Sequence, residues 1–328
     1  MSMKMQIVAR SWPMHEPFAI SRGVQTDQPT LMVTLTDTEG RRGRGEGCGV
    51  DYAGESLETM TAQLEAARAR IEAGLTREAL LDVLPHGGAR HAVDAALWDL
   101  EAKQTGVSAF ERAGVAHPRT VTTAYTIGIR TLEDYEATAR RYARYKLLKI
   151  KVNAADPVAC IEAVRRGASD PALIVDANQA WSIEDLKRHA ERLAPMGVAL
   201  LEQPIPVGAE AGLDGYRCPI LMAADELIND VEDLQKARGR FDVINIKLDK
   251  TGGLTEALKL AKAARDMGFE LMVGCMAGSS LSMAPGTVLA QQCRFVDLDG
   301  PLLQSEDWPD GLTYVDGEVS PPSRAFWG

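Results

Sequence analysis

Eight short apolar runs recur at nearly constant spacing from residue 121 onward. They cover residues 121–126, 147–151, 173–176, 199–202, 220–225, 243–247, 271–274 and 294–297, and successive ends lie 22 to 27 residues apart. Each run ends in polar residues, and an amphipathic helix is expected after it. A strand, a helix and two short loops need about that length of chain. Eight such units in register predict a parallel β/α barrel. The alternative, an open doubly wound sheet, normally carries a Gly-rich turn after its first strand, and this chain has none there. The units are not alike in sequence, so the repeat is architectural.

The barrel is predicted over 118–300, and the flanks read differently. Residues 31–36 alternate like a half-buried strand, and 43–48 form a Gly-rich return. Leu57, Met60, Leu64, Ala67 and Ile71 follow helical spacing behind a capping Ser56. A second helix is expected over 90–103, ended by Gly106. These elements predict an α+β unit over 1–117. The tail over 301–328 is rich in proline and is expected to return to that unit.

Composition removes several function classes. The chain has 328 residues, 45% hydrophobic and 25% charged, which suits two or three compact units and argues against disorder. A formal charge of −10 without a basic run speaks against nucleic acid or an anionic membrane as partner. Five distant cysteines with no CxxC read as reduced thiols of a cytoplasmic protein. The first residues are not followed by an apolar signal core. The longest uncharged stretch, 271–293, carries Ser, Thr, Gly, Gln and Pro, unlike a membrane span. Its helix is free to face either the N-terminal unit or a neighbouring subunit, which leaves a homo-oligomer open.

Active sites of β/α barrels lie at the C-terminal strand ends. Here the third, fourth and fifth strands end in Asp176, Glu202 and Asp225. A single strand-end Asp is more often a helix cap. Three in succession, on strands about 5 Å apart, would repel unless a cation sat among them. Oxygen ligands of this kind suit Mg²⁺. The five histidines are scattered, which speaks against zinc.

The second strand ends in Lys149-Ile-Lys151 and the sixth in Lys247. Alternation turns both lysines of the second strand inward. Strands two and six face each other across a ring of eight. Lys151 and Lys247 are therefore expected to approach one point from opposite faces, with Lys149 beside Lys151. With Lys149 next to Lys151 and Mg²⁺ near all three lysines, neighbouring positive charge is expected to lower a lysine pKa toward working pH. One amine would take a proton from a carbon beside a carboxylate, and the other would return a proton to the opposite face. Mg²⁺ would stabilise the enediolate between the two steps.

These residues resemble the enolase superfamily, muconate-cycloisomerase-like subgroup. The resemblance rests on Lys149-x-Lys151, Val175-Asp176-Ala-Asn178, Leu201-Glu202-Gln203-Pro204, Ala224-Asp225-Glu226, Asn245-Ile-Lys247 and the helix signature 95–103. It implies a modified (β/α)7β TIM barrel with an α+β N-terminal capping domain. It also implies Asp176, Glu202 and Asp225 as Mg²⁺ ligands, Lys151 and Lys247 as the acid/base pair, and Lys149 as an auxiliary. The run Asp297-Leu-Asp299-Gly-Pro is similar to dipeptide epimerases, where the two acids bind the free amino group of the substrate. These two acids have no basic neighbour in the sequence, although a helix cap and a surface acid would look the same. Residues 247–258 are also very like those enzymes. Arg22, in a loop like theirs, would meet a substrate carboxylate, and Thr126 would line the pocket. Ala277-Gly278 departs from the pattern, since many members carry an acid there, and residues 24–27 also differ.

The resemblance thus implies a Mg²⁺-dependent isomerase that inverts the α-carbon of the second residue of a dipeptide. N-acylamino-acid racemases, o-succinylbenzoate synthases and cycloisomerases share the Lys–metal–Lys constellation, but their substrates lack an ammonium for Asp297 and Asp299. A Schiff-base aldolase also uses a barrel lysine yet leaves the three acids unexplained. A non-catalytic peptide-binding barrel is the third class. Gly252-Gly253 could cradle a phosphate, or more simply permit a tight turn.

Overall fold

A computed structural model describes residues 2–20 and 23–328. The N-terminal domain is an antiparallel sheet of β1 (Met3–Ile20), β2 (Gly23–Asp37) and β3 (Arg42–Cys48), in that order. Two main helices cover it. Helix α1 (Leu57–Glu72) starts in a capping box between Ser56 and Thr59 and buries Met60, Leu64, Ala67 and Ile71. Helix α2 (Gly88–Thr105) is buried along nearly its whole length and ends at Gly106 with φ 74°.

The Gly-rich return has a packing role. Gly43, Gly45 and Gly47 alternate along β3 and face α2. A Cβ on Gly45 would stand 2.2 Å from the Ala92 carbonyl oxygen and 2.7 Å from the Ala96 nitrogen. Gly43 and Gly47 would meet α2 backbone oxygens at 2.1 Å. The helix lies directly on the strand backbone because this strand has no side chains on that face.

The barrel strands follow β4 (Val121–Thr122), namely β5 (Tyr125–Ile127), β6 (Leu147–Lys151), β7 (Ala172–Asp176), β8 (Val198–Glu202), β9 (Leu221–Ala224), β10 (Val243–Lys247), β11 (Glu270–Gly274) and β12 (Phe295–Val296). β5 to β12 lie side by side in sequence order, and every registered pair is parallel. The sheet curls until its edges meet. Ala124 N–H donates to Val296 O at 2.8 Å, and Leu298 N–H to Thr123 Oγ1 at 2.9 Å. One apolar cluster fills the interior with Ala124, Leu147, Ile174, Leu200, Ala223, Val243, Met272 and Phe295, one residue from each run. That layer is what a closed barrel requires.

Two local expectations change. The run 121–126 is split, because β4 leaves the barrel to pair with β14 (Glu318–Val319), which pairs with β13 (Tyr314–Val315). Full helices do not follow every strand. Only a 3₁₀ turn, Glu210–Leu213, follows β8, and one helical turn, Leu234–Ala237, follows β9. Pro204, Pro206, Gly208, Gly212 and Gly215 break up the first of these connections. In the second, Asp230 and Asp233 accept backbone N–H bonds from Glu232 and Asn229 at 2.9 Å, local bonds that compete with a helix.

Helix α3 (Ser280–Ala290) is buried at all eleven residues and packs on β3 and β11. The uncharged seventh helix thus faces the capping domain. The tail ends on α2, where Trp327 Nε1 donates to Ala95 O at 3.1 Å and Gly328 N to Asp99 Oδ1 at 2.9 Å. Among the described residues no helix is long and apolar enough to cross a membrane.

Gly45→Ala tests the close approach of α2. The added methyl has only backbone to push against, so stability should fall by about 1–3 kcal/mol. Chemical denaturation would show this as a lower midpoint with an unchanged slope.

Candidate active site

Alternation along each strand builds the site above the interior layer. Two residues beyond an inward apolar side chain, the chain again points inward. Thr126 follows Ala124 in this way, Lys149 and Lys151 follow Leu147, and Asp176 follows Ile174. Glu202 follows Leu200, Asp225 follows Ala223, Asn245 and Lys247 follow Val243, and Asp297 and Asp299 follow Phe295. Register aligns the ends, with Lys151 beside Asp176 and Asp176 beside Glu202. Gly274 follows Met272, and a Cβ there would come within 3.0 Å of Lys247 Cε.

A cavity of about 410 Å³ lies between these strand ends and the capping domain. Lys149, Lys151, Lys247, Thr126, Asp297 and Asp299 line its barrel side. Phe18, Ile20, Gln28, Leu57 and Met60 line the capping side. Cys275, Met276 and Ala277 complete the wall after β11. Arg22 lies outside the described residues.

Asp176, Glu202 and Asp225 do not line the cavity. They are almost completely buried beside the lysines. Lys149 Nζ stands 2.8 Å from Glu202, 2.8 Å from Asp297 and 3.2 Å from Asp176. Lys151 Nζ is 2.6 Å from Asp176 and donates to Asn178 Oδ1 at 3.1 Å. Lys247 Nζ is 2.7 Å from Asp225 Oδ2.

One expectation is corrected here. Asp297 has a basic partner after all, since the fold brings Lys149 to it from the second strand. Asp299 instead accepts Thr126 N–H at 2.6 Å, and Thr126 Oγ1 donates to Asp297 at 3.4 Å. The carboxylates also set the charge of two of the lysines. Burial lowers Lys247, but Asp225 outweighs it and holds the ammonium above its ordinary value. Lys149 is likewise lowered by burial and raised further by Asp297, Glu202 and Asp176. Carboxylate oxygens stand 2.8 Å from Lys149 Nζ and 2.7 Å from Lys247 Nζ, and Coulomb energy grows as distance falls.

The acids respond in kind. Burial raises Asp176, but Lys151, Lys149 and Lys247 hold it far below the usual carboxylate range. Lys247 and Lys250 do the same against burial at Asp225. Burial and then Asp176 push Glu202 upward despite Lys149. Burial and Asp297 push Asp299 up to about 7.

Sequence reasoning missed Lys250. It is fully buried, 2.7 Å from Asp225 Oδ1, and also donates to the Asp225 carbonyl. Its place three residues after Lys247 gives no hint of burial. Two motif residues gain contacts as well. Asn245 Nδ2 donates to Glu202 Oε1 at 2.9 Å, and Gln203 Oε1 accepts Asp225 N–H at 2.9 Å.

The acids offer only oxygen donors. Glu202 Oε2 and Asp225 Oδ1 accept no hydrogen bond, although each has a lysine nitrogen within 2.8 Å. That donor chemistry fits a hard divalent cation. Among the described residues no three acidic, imidazole or thiolate groups converge into a ready cage. Ammonium groups stand among the carboxylates instead.

Both halves of the chain match known families. Residues 2–114 match the mandelate racemase / muconate lactonizing enzyme N-terminal domain, and residues 134–325 the enolase C-terminal domain-like family. The chain therefore belongs to the enolase superfamily, and within it to the dipeptide and amino-acid epimerase family of isomerases. L-Ala-D/L-Glu epimerase of Escherichia coli K12 is 40% identical, over 96% of this chain and 98% of that one. N-acetyl-D-glutamate racemase of a Pseudoalteromonas species is 41% identical over 84% and 87%. An enolase family member from Agrobacterium tumefaciens, solved with sodium and L-Ala-L-Glu, is 42% identical with a TM-score of 0.97, over 99% of this chain and 100% of that chain. Enterococcus faecalis dipeptide epimerase, solved with Mg and L-Leu-L-Tyr, is 27% identical with a TM-score of 0.90, over 98% and 97%.

Asp299 gives a pH test. Its carboxyl is raised in the fold from 3.8 to about 7, so the folded state binds the extra proton in that window. Stability should therefore fall as pH rises from about 4 to about 7. Asp299→Asn carries no such proton, and its denaturation midpoint should show a shallower decline over the same range.

Proposed function

We propose that this chain is a Mg²⁺-dependent dipeptide epimerase that inverts the α-carbon of the C-terminal residue, with L-Ala-D/L-Glu or a related dipeptide as substrate. The observation that carries this reading is the pair Lys151 and Lys247. They line one cavity from strands four places apart in the ring of eight, with Asp297 and Asp299 in the same wall. The relatives that act on, or are solved with, dipeptides support the substrate class.

Asp176, Glu202 and Asp225 would hold Mg²⁺, which supplies positive charge against the substrate carboxylate. One lysine, as the free amine, takes the α-proton, and the opposite ammonium delivers a proton to the other face. Both amines are strongly paired with acids in this structure, so a base can form only when its carboxylate partner is engaged elsewhere. Lys149 balances the charge of Glu202, Asp176 and Asp297. Asp297 and Asp299 hold the substrate ammonium, and Arg22 meets a substrate carboxylate. Thr126 holds Asp299 in place through its N–H.

A second reading has its own support. The Lys149–Asp297 pair weakens the need for a substrate ammonium, and a 41% identical relative is an N-acetyl-D-glutamate racemase. A dipeptide panel and N-acetyl-glutamate, each incubated with Mg²⁺ in D₂O, separate the two. A gain of about one dalton on dipeptides alone, the mark of α-proton exchange, supports the first reading. Exchange on N-acetyl-glutamate that survives Asp297→Asn and Asp299→Asn supports the second.

Lys151→Ala and Lys247→Ala should each abolish inversion, and each should keep exchange from the one stereoisomer that the remaining lysine serves. EDTA should remove activity and Mg²⁺ restore it. Full activity in EDTA, with borohydride trapping substrate on Lys247, would instead reveal Schiff-base chemistry.

A further inference from the structure

The turn that follows Lys247 is gripped from two domains. It spans Leu248–Thr251 and starts directly from the lysine, whose backbone is still extended. Asp249 is buried, and its Oδ1 accepts Cys48 N–H at 2.8 Å. Cys48 is the last residue of β3, and the next residue, Gly49, lines the cavity. Arg90 of α2 donates to Thr251 O at 2.7 Å and Gly252 O at 3.1 Å. Asp94, one turn further along α2, accepts Thr255 N–H at 3.1 Å. On the barrel side Lys250 reaches back to Asp225, the carboxylate that also pairs with Lys247.

The glycine pair belongs to this grip. Gly252 has φ 69° and Gly253 φ 122°. A Cβ on Gly252 would stand 2.3 Å from Arg90 Nε, and one on Gly253 would stand 2.5 Å from Asp94. The pair therefore leaves room for two side chains of the capping domain, and the space a phosphate would need is filled by Arg90 and Asp94.

A buried carboxylate with one strong donor is costly to desolvate. His91 Nε2 is 4.0 Å away, and burial pushes its pKa down to about 4, so it is neutral near pH 7 and offers no countercharge. We infer that Asp249 is a positioning residue for Lys247: by tying the turn Leu248–Thr251 to the end of β3, it fixes how the lysine enters the cavity. Arg90 assists by holding the far end of the same turn. The capping domain then sets the position of one amine, whereas Lys151 stands on a strand that these contacts do not touch.

This inference rests on the two-lysine reading, and its test separates the two. Exchange of the α-proton in D₂O is followed separately for L-Ala-L-Glu and L-Ala-D-Glu. Lys247→Ala first identifies the stereoisomer whose exchange depends on Lys247. Asp249→Leu should then lose about 10²-fold on that stereoisomer, as expected for a misplaced reacting group, with little change on the other. Asp249→Asn keeps an acceptor for Cys48 and should restore the lost exchange. Arg90→Met should show the same asymmetry in smaller measure, and it decides the matter if Asp249→Leu does not fold. Equal losses on both stereoisomers, or no loss, would overturn the positioning role while leaving the two-lysine reading intact. If Lys247→Ala itself slows both stereoisomers alike, the two-lysine reading falls, and the role of Asp249 falls with it.

Discussion

The mouth of the barrel is held by charge pairing among buried side chains. Lys149, Lys151, Lys247 and Lys250 meet Asp176, Glu202, Asp225 and Asp297 at 3.2 Å or less. Taking each ion out of water costs several kcal/mol, and removing one partner strands the other. Such a lattice is tolerable only where backbone geometry sets every member in place beforehand. The parallel strands do this, because their side-chain period of two places a charged layer directly above an apolar one. The same layering keeps the charges concentrated at one end of the barrel.

The capping domain depends on that end, and the end depends on it. β3 has glycine at every second position, so α2 lies on its backbone. That placement brings Arg90 and Asp94 against the Gly252-Gly253 turn, and Cys48 against Asp249. The floor of the cavity comes from strand ends and its roof from the first domain. The roof and the turn after Lys247 are thereby joined through a few buried hydrogen bonds.

Much of this was legible in residue order alone. The recurring apolar runs announced a barrel, and the acids and lysines at their ends could be placed together at its mouth, because position along a strand dictates inward or outward direction. The Gly-rich segment 43–48 was visible as a pattern but not as a seat for α2. Its meaning depends on a partner some fifty residues away in sequence. Helices expected after β8 and β9 shrank to single turns where proline, glycine and Asx bonds prevailed over periodicity. Lys250 was invisible, since its spacing from Lys247 says nothing about burial.

Residue order by itself determined which side chains stand at the strand ends, because alternation and spacing are local properties of the backbone. Only the tertiary structure decided which of them pair. Lys149 and Asp297 lie on strands two and eight, 148 positions apart in sequence, and meet because the ring closes. The balance of attraction and repulsion around each amine follows from those distances. For that reason the carboxylates that the closed ring sets beside Lys149 and Lys247, and not their order in the sequence, hold these two ammonium groups protonated.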